Sequence, residues 1–380
     1  MKNFSKVFAL TVLPVLVVWA PFYLHIKEFW SIPIPTDGMQ TIASNYDGPL
    51  YIVIAKSFYN IEYIANNFAF PLPLEYYAAH FPLFPVIISA LSIIFGHPWG
   101  MLVATLLGSF ITLYYFFKLS KQFLSPDDAW WLTTVFAVFP ARWLIVRSVG
   151  SPEPLFVGGI IASIFYFRKK KYWHAGIWGA VAQLTKSPGI LLFVAYIIVT
   201  YYPKLKIIAA GNFKRSQLFK LKPLPILLIP LSLAVIFWLY SVRFGSFFAY
   251  FNSGDNIHLF FPPFQIFDYS QPWVDTHWLE EIIFIYIFGA MGTFKLFKED
   301  DKTLAWFTAI FFTTILFVSH RDILRYSLPI VPFILIAYRN ILVSREFKFT
   351  LAIIIIPIYL YSLAFIANNV MPIADWTPLL

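Results

Sequence analysis

Along this chain the apolar residues do not recur with the period of a surface helix or a half-buried strand; they run on for whole spans between short polar turns. Val7 to Leu24 and Leu351 to Ala367 are free of charge and about as long as the roughly 20 residues a bilayer core requires. Further apolar stretches lie near 98–117, 128–141, 154–167, 172–185, 188–202, 224–241, 282–296, 303–318, 328–338 and 349–366, which with the first predicts eleven transmembrane helices. One more, Phe81 to Gly96, is short and has two prolines near its start. The pattern predicts an all-α polytopic membrane protein in which residues 1–380 form a single membrane domain.

Composition supports this. Hydrophobic residues make up 59% of the 380 and charged residues 12%, with a mean hydropathy of +0.71. Soluble domains carry roughly 25% charged residues, so a soluble enzyme is excluded. Cys is absent, which removes disulfides, thiolate chemistry and Cys-ligated metals together. Lys2 and Lys6 ahead of an apolar run resemble the start of a signal peptide, but no small-residue cleavage site follows Leu24, and an uncleaved first span is expected.

Charge then decides the short stretch. If 81–96 does not cross the bilayer, 20 of the 28 basic residues fall on the inner side; if it does, every later loop changes side and only 8 do. The positive-inside rule favours the first arrangement, with 81–96 as an interfacial or partly inserted helix on the outer side. One long outer segment, about 25–97, follows the first span and holds Asp37, Asp47, Glu62 and Glu75. Gly48 and then Pro at a first helical position predict a short helix from Pro49 to Asn60 within it. A second outer segment, about 242–281, carries Asp255, His258, Asp268, Asp275 and His277. The Lys-rich inner loop 203–223 reads as a topology determinant beside anionic lipid.

Polar residues at the outer ends of spans are costly near lipid and carry the functional signal. Asp47 precedes the expected helix, where it serves either as a dipole-favoured acid or as a catalytic carboxylate. Arg142 taken alone reads as a snorkelling anchor, and Glu153, between two prolines at the mouth of a span, as a cap or a site acid. Lys186 breaks an apolar hairpin on the outer side. Arg321 and Asp322 are placed to pair with each other, leaving Arg325 one turn on to point inward. Lys186, Arg325 and Arg147 together would surround a lipid phosphate. His spacing and the lack of a Gly-rich loop after a strand support neither zinc hydrolysis nor nucleotide binding, and no nucleic-acid partner is expected.

At these residues the chain resembles the membrane glycosyltransferases of the C superfamily, and within them the PIG-V-like mannosyltransferases. The family's W-D-x-x-x-Y-x-x-I-A pattern is similar to Tyr46-Asp47-Gly48-Pro49-Leu50-Tyr51-Ile52-Val53-Ile54-Ala55, and its F-F-P-L-Y-P to His80-Phe81-Pro82-Leu83-Phe84-Pro85. Its F-P-A and S-E-S-L-F elements resemble Phe139-Pro140-Ala141 and Ser151-Pro152-Glu153-Pro154-Leu155-Phe156. L-T-R-S-N-G resembles Leu184-Thr185-Lys186-Ser187-Pro188-Gly189, and R-Y-x-L-P resembles Arg325-Tyr326-Ser327-Leu328-Pro329. Tyr46 for Trp, Pro152 inside its element and Lys186 for Arg depart from the pattern, the last looking more like lipid A aminoarabinose transferases.

The resemblance implies inverting transfer of a hexose, mannose in the PIG-V-like case, from a polyprenyl-phosphate sugar to a lipid-linked or glycan acceptor. The reaction would occur at the outer face of a bacterial cytoplasmic membrane or in the lumen of the endoplasmic reticulum. It makes Asp47 and Glu153 the catalytic acids and Lys186, Arg325, Arg147, Tyr51 and Asp37 the substrate contacts, with Asp37 explained locally as an Asp-Gly turn. No cofactor is expected, and a monophosphate leaving group beside cations does not demand a metal. The competing class is a transporter or flippase of a lipid-linked sugar, which the span count permits; it would hold charges near the midplane in repeated halves, and no repeat is apparent. A polysaccharide polymerase or ligase would share the large outer loops without the motif order.

Overall fold

A computed structural model describes residues 2–209, 222–254, 258–271, 279–299 and 302–380. Asp255, Asp275, His277 and the middle of the inner loop, 210–221, lie outside the described residues. The chain opens with α1 (Lys2–Tyr23), and the first outer segment follows as a two-residue hairpin of β1 (Glu28–Phe29) and β2 (Ile32–Pro33), then α2 (Met39–Ala43), α3 (Gly48–Ser57), α4 (Ile61–Asn67) and α5 (Leu83–Phe95). That hairpin is a small exception to the all-α expectation. Next come α6 (His97–Ser120), α7 (Pro126–Val138), α8 (Ala141–Ser148), α9 (Glu153–Arg168), α10 (Tyr172–Thr185) and α11 (Ile190–Ala209). The last part holds α12 (Leu228–Phe244), α13 (Leu279–Phe297), α14 (Lys302–Ile315), α15 (Ile323–Ser327), α16 (Val331–Ala337), α17 (Arg339–Leu342) and α18 (Arg345–Asn368).

The protein is a multi-pass membrane protein. Among the described residues four helices are long and apolar enough to cross: Asn3–Tyr23, His97–Ser120, Leu224–Phe244 and Arg345–Asn368. A fifth arises if α7 and α8 count as one span bent by 71°. Pro140 has no N–H to continue the ladder, which ends α7 at Val138. The stretch 303–318 forms a helix of 14 residues, and 328–338 falls in a continuous apolar helix, Ile323–Ala337, that combines α15, a 3₁₀ turn and α16.

Within the first outer segment the expected helix start holds. α3 begins at Gly48 with Pro in its first turn and ends where Phe58 and Tyr59 take φ of 44° and 61°. The 13 residues of α5, about 20 Å at 1.5 Å per residue, fall short of crossing. The chain turns at Gly96, φ +72°, and folds α5 back along α6, where a Cβ on Gly100 would lie 3.0 Å from the Ser92 nitrogen. Only glycine tolerates both that turn and that approach.

α9 is the central helix, buried along almost its whole length. It is reached closely from both sides because glycines line the seams: a Cβ on Gly108 would stand 2.6 Å from the Leu155 nitrogen, and one on Gly159 would stand 3.0 Å from the Ala182 nitrogen. Small residues let helix backbones approach in a membrane protein, where burial of apolar surface supplies little drive. The α6–α9–α10 block therefore forms a firm frame, and the first residue of its central helix is Glu153.

Candidate active site

Asp47 sits at the N-cap position of α3, yet its side chain makes no cap hydrogen bond. The carboxylate instead faces His80, with Oδ2 3.7 Å from Nε2, and keeps 31% of its surface open. Tyr46 before it has φ of +50°, a left-handed conformation that costs a bulky residue energy and is held by its surroundings. Those surroundings are two arginines: Arg142 donates to the Tyr46 hydroxyl at 3.2 Å, and the Arg325 guanidinium lies 4.5 Å from the ring centre. Burial alone would raise the Asp47 pKa; His80, then Arg325 and Lys186, outweigh it and hold the carboxyl below its ordinary value.

His80 closes the 3₁₀ turn Leu74–Ala79, and its carbonyl accepts from the Tyr59 hydroxyl at 2.5 Å. Tyr51, one turn into α3, meets the His80 ring edge-on at 4.8 Å. Acid, imidazole and phenol are thus fixed by backbone and by ring packing.

Glu153 is placed by α6. Thr105 Oγ1 donates to the Ser151 carbonyl at 3.2 Å and accepts from the Ser151 N–H at 3.1 Å, while Thr112 donates to the Pro154 carbonyl at 2.5 Å. Glu153 is buried, accepts from the Ser151 hydroxyl, and its Oε1 lies 2.7 Å from Lys186 Nζ and 3.5 Å from Arg325 Nε. Lys186 leaves the end of α10 with extended backbone and keeps 28% of its side chain open.

Two cavities meet at this cluster. One, of about 300 Å³, has Asp47, Glu153, Lys186 and Arg325 at its polar end and Phe156, Ile190, Leu191, Phe311, Ile315 and Val318 along its length. The other, about 710 Å³, is lined by polar groups and rings, among them Arg142, Asp322, His320 and Tyr361. Asp47, His258, Arg325 and Tyr326 line both.

Of the residues expected to form a site, Asp47, Glu153, Lys186, Arg325 and Tyr51 converge on the smaller cavity. Asp37 is exposed and lines neither. Arg147 is also elsewhere: it is fully buried and donates to the carbonyls of Ala137, Leu10 at 3.0 Å and Thr11 at 3.1 Å, tying α8 to α7 and α1. The Ala137 carbonyl is one of those orphaned where α7 stops, so Arg147 pins that break and lines neither cavity.

The expected Arg321–Asp322 pair does not form either. Asp322 lies 3.1 Å from Arg142 Nε and 3.9 Å from Arg325 Nε. Arg142, read as an anchor, is buried, stacks 3.8 Å from the Phe365 ring centre and donates to Tyr361. Sequence reasoning also missed the close pair His258 and His320, ring centres 4.4 Å apart. The second outer segment is stapled beside His320 by the Leu259–Val318 bridge and the Ser319 N–H to the His258 carbonyl. Burial, then His258, Arg325 and Arg321, push His320 down to about 3. Among the described residues no group of three or more His, Asp or Glu is arranged to hold a metal ion.

No family model and no curated protein matches the chain. Solved structures do. The chain superposes on ArnT from Cupriavidus metallidurans bound to undecaprenyl phosphate with a TM-score of 0.56 at 15% identity, over 91% of this chain and 62% of ArnT. The chain has the fold of ArnT. The apo form of the same ArnT gives 0.52 at 15% identity, over 90% of this chain and 61% of ArnT. An Archaeoglobus fulgidus oligosaccharyltransferase in complex with Zn and sulfate gives 0.48 at 13% identity, covering 97% of this chain and 54% of that one. The chain thus spans less than two thirds of ArnT, and what the two share is the fold.

Proposed function

We propose that the protein is an inverting glycosyltransferase that moves a hexose, mannose by the motif resemblance, from a polyprenyl-phosphate sugar to an acceptor at the outer or lumenal membrane face. The observation that carries this is the position of Asp47: an ionised carboxylate standing where an apolar, cation-ended cavity meets a polar one. The smaller cavity suits a prenyl chain along its apolar walls and a phosphate against Lys186 and Arg325; the neighbour ArnT was solved with undecaprenyl phosphate.

In this reading Asp47 takes the proton of an acceptor hydroxyl as its oxygen attacks the anomeric carbon, and the bond from that carbon to the phosphate oxygen breaks on the opposite face. The electron pair leaves on the phosphate, where Lys186 and Arg325 meet the growing charge with donors already in place. Glu153 touches both cations and acts through them, holding them apart and aimed; it is a positioning residue and not the base.

The test is to incubate purified protein with radiolabelled polyprenyl-phosphate mannose and membrane extract, alongside Asp47→Asn. Wild-type protein should move label to an extract component, and Asp47→Asn should bind polyprenyl phosphate normally while losing about 10²- to 10⁴-fold in transfer. Near-normal transfer by Asp47→Asn would remove the base from the mechanism.

A further inference from the structure

We infer that the larger cavity takes the neutral, hydroxyl-rich end of a glycan as acceptor, and not a phosphorylated or carboxylated headgroup; this rests on the transferase reading above. The argument is from how its polar groups are already used. Arg142 is committed to Asp322 at 3.1 Å and to the hydroxyls of Tyr46 and Tyr361 at 3.2 Å each, and one face of its guanidinium lies on Phe365. Arg325 faces Glu153 and Asp322. The third arginine of the lining, Arg321, is exposed, and Glu281 lines the same cavity. An anionic acceptor held by Arg142 or Arg325 would have to break one of these pairs at the cost of a buried, uncompensated carboxylate, so only the exposed Arg321 is open to an anion there, in a lining it shares with the Glu281 carboxylate.

What the cavity offers instead is ring surface and neutral hydrogen-bonding groups. Tyr361 keeps 44% of its surface open, Tyr76 stands 5.6 Å from the His80 ring on the approach to Asp47, and Asn368 and Asn369 add amides. Asn368 uses its Nδ2 on the Ala364 carbonyl at 2.8 Å, and its amide oxygen remains an acceptor. A sugar presents an apolar C–H face and a rim of hydroxyls that both donate and accept. Aromatic rings take the first and amides the second. The smaller cavity is built differently: Lys186 spends one of its three N–H donors on Glu153 and has surface open, as an anion requires. Phosphate belongs on that side of Asp47 and the glycan on the other.

The test uses the full-length protein in detergent with radiolabelled polyprenyl-phosphate mannose and membrane extract. Labelled product is cut by partial acid hydrolysis to the labelled disaccharide, which reports the accepting unit directly, and run on an anion exchanger. Unretained label is expected; a retained, phosphate- or uronate-bearing disaccharide, or label on a peptide, overturns the inference. In parallel Tyr76→Ala and Asn368→Ala should raise the acceptor KM, roughly tenfold for Tyr76→Ala from lost ring contact, with the donor KM unchanged. Donor and acceptor KM rising together would also overturn it. Displacement of labelled polyprenyl phosphate is measured on the same sample. Binding without label on any sugar sinks the glycan acceptor alone, whereas no binding sinks the transferase reading as well.

Discussion

Replacing Lys186 by Gln separates holding the donor from holding the fold. Glu153 Oε1 is 2.7 Å from Lys186 and 3.5 Å from Arg325. At an effective dielectric near 20 these separations give gross attractions of about 6 and about 5 kcal/mol, set against a desolvation cost of several kcal/mol for each ion. The net gain is small, but removing one partner is not: truncation of a buried pair costs about 3–5 kcal/mol. Lys186 keeps 28% of its surface in the cavity and Glu153 retains Arg325 and Ser151, so about 3 kcal/mol or less is expected in thermal unfolding. The donor phosphate loses one charge-assisted contact, about 1.5–3 kcal/mol, which is roughly a 10- to 150-fold rise in donor KM. Initial rates at varied donor and saturating acceptor measure this. Adding Glu153→Gln removes the half-compensated carboxylate, while Arg325 keeps Asp322, and should return part of the stability, leaving donor KM high. If donor KM is unchanged in Lys186→Gln, or the second substitution restores it, Lys186 acts only through Glu153 and the phosphate assignment fails.

Five further outcomes are expected. Gly108→Ala, whose new Cβ would stand 2.6 Å from the Leu155 nitrogen, should lower stability by about 1–3 kcal/mol, read as a lower Tm in detergent. Arg147→Met should cost at least about 1.5 kcal/mol of stability while leaving the donor KM of the folded fraction unchanged. His320 is held neutral at about 3, below its ordinary 6.5, so its contribution to stability is full above pH 6.5 and is lost as pH falls toward 3; Tm should drop between pH 7 and pH 5, less so in His320→Gln. Asp47, with its value depressed, keeps its charge and its stabilising contribution throughout that window, and turnover should show no acid limb from it. With no native Cys, Lys170→Cys and Tyr269→Cys, both at exposed positions, should react with an impermeant reagent from opposite sides; labelling of both from one side contradicts the proposed topology.

The sequence carried Asp47, Glu153, Lys186 and Arg325 because each is a polar residue at the end of an apolar run, and Tyr51 through the motif resemblance; the structure brings all five to one cavity. It also carried the start of α3, since Gly48 and Pro49 act locally. What it could not carry was partnership. Asp322 has an arginine next to it in the chain, but its 3.1 Å contact is to Arg142, 180 positions earlier in the chain, and α8 comes to be there because Pro140 bends the polypeptide by 71°. Arg147 shows the same limit: a cation near an outer turn is a phosphate contact or a structural pin depending on which carbonyls a helix break leaves open.

The glycine seams of α6, α9 and α10 divide the site into unequal partners. On one bank, Glu153 and Lys186 ride on helices packed so closely that a Cβ on Gly108 would stand 2.6 Å from the Leu155 nitrogen. On the other bank, His258, His320 and Arg325 come from short helices and loops joined by a single β-bridge and a few backbone hydrogen bonds. In the proposed transferase, a substrate that needs room is expected to displace the second bank, so accommodation of different acceptors would lie with 258–271 and 316–327, and engineering of scope belongs there, with the frame left untouched.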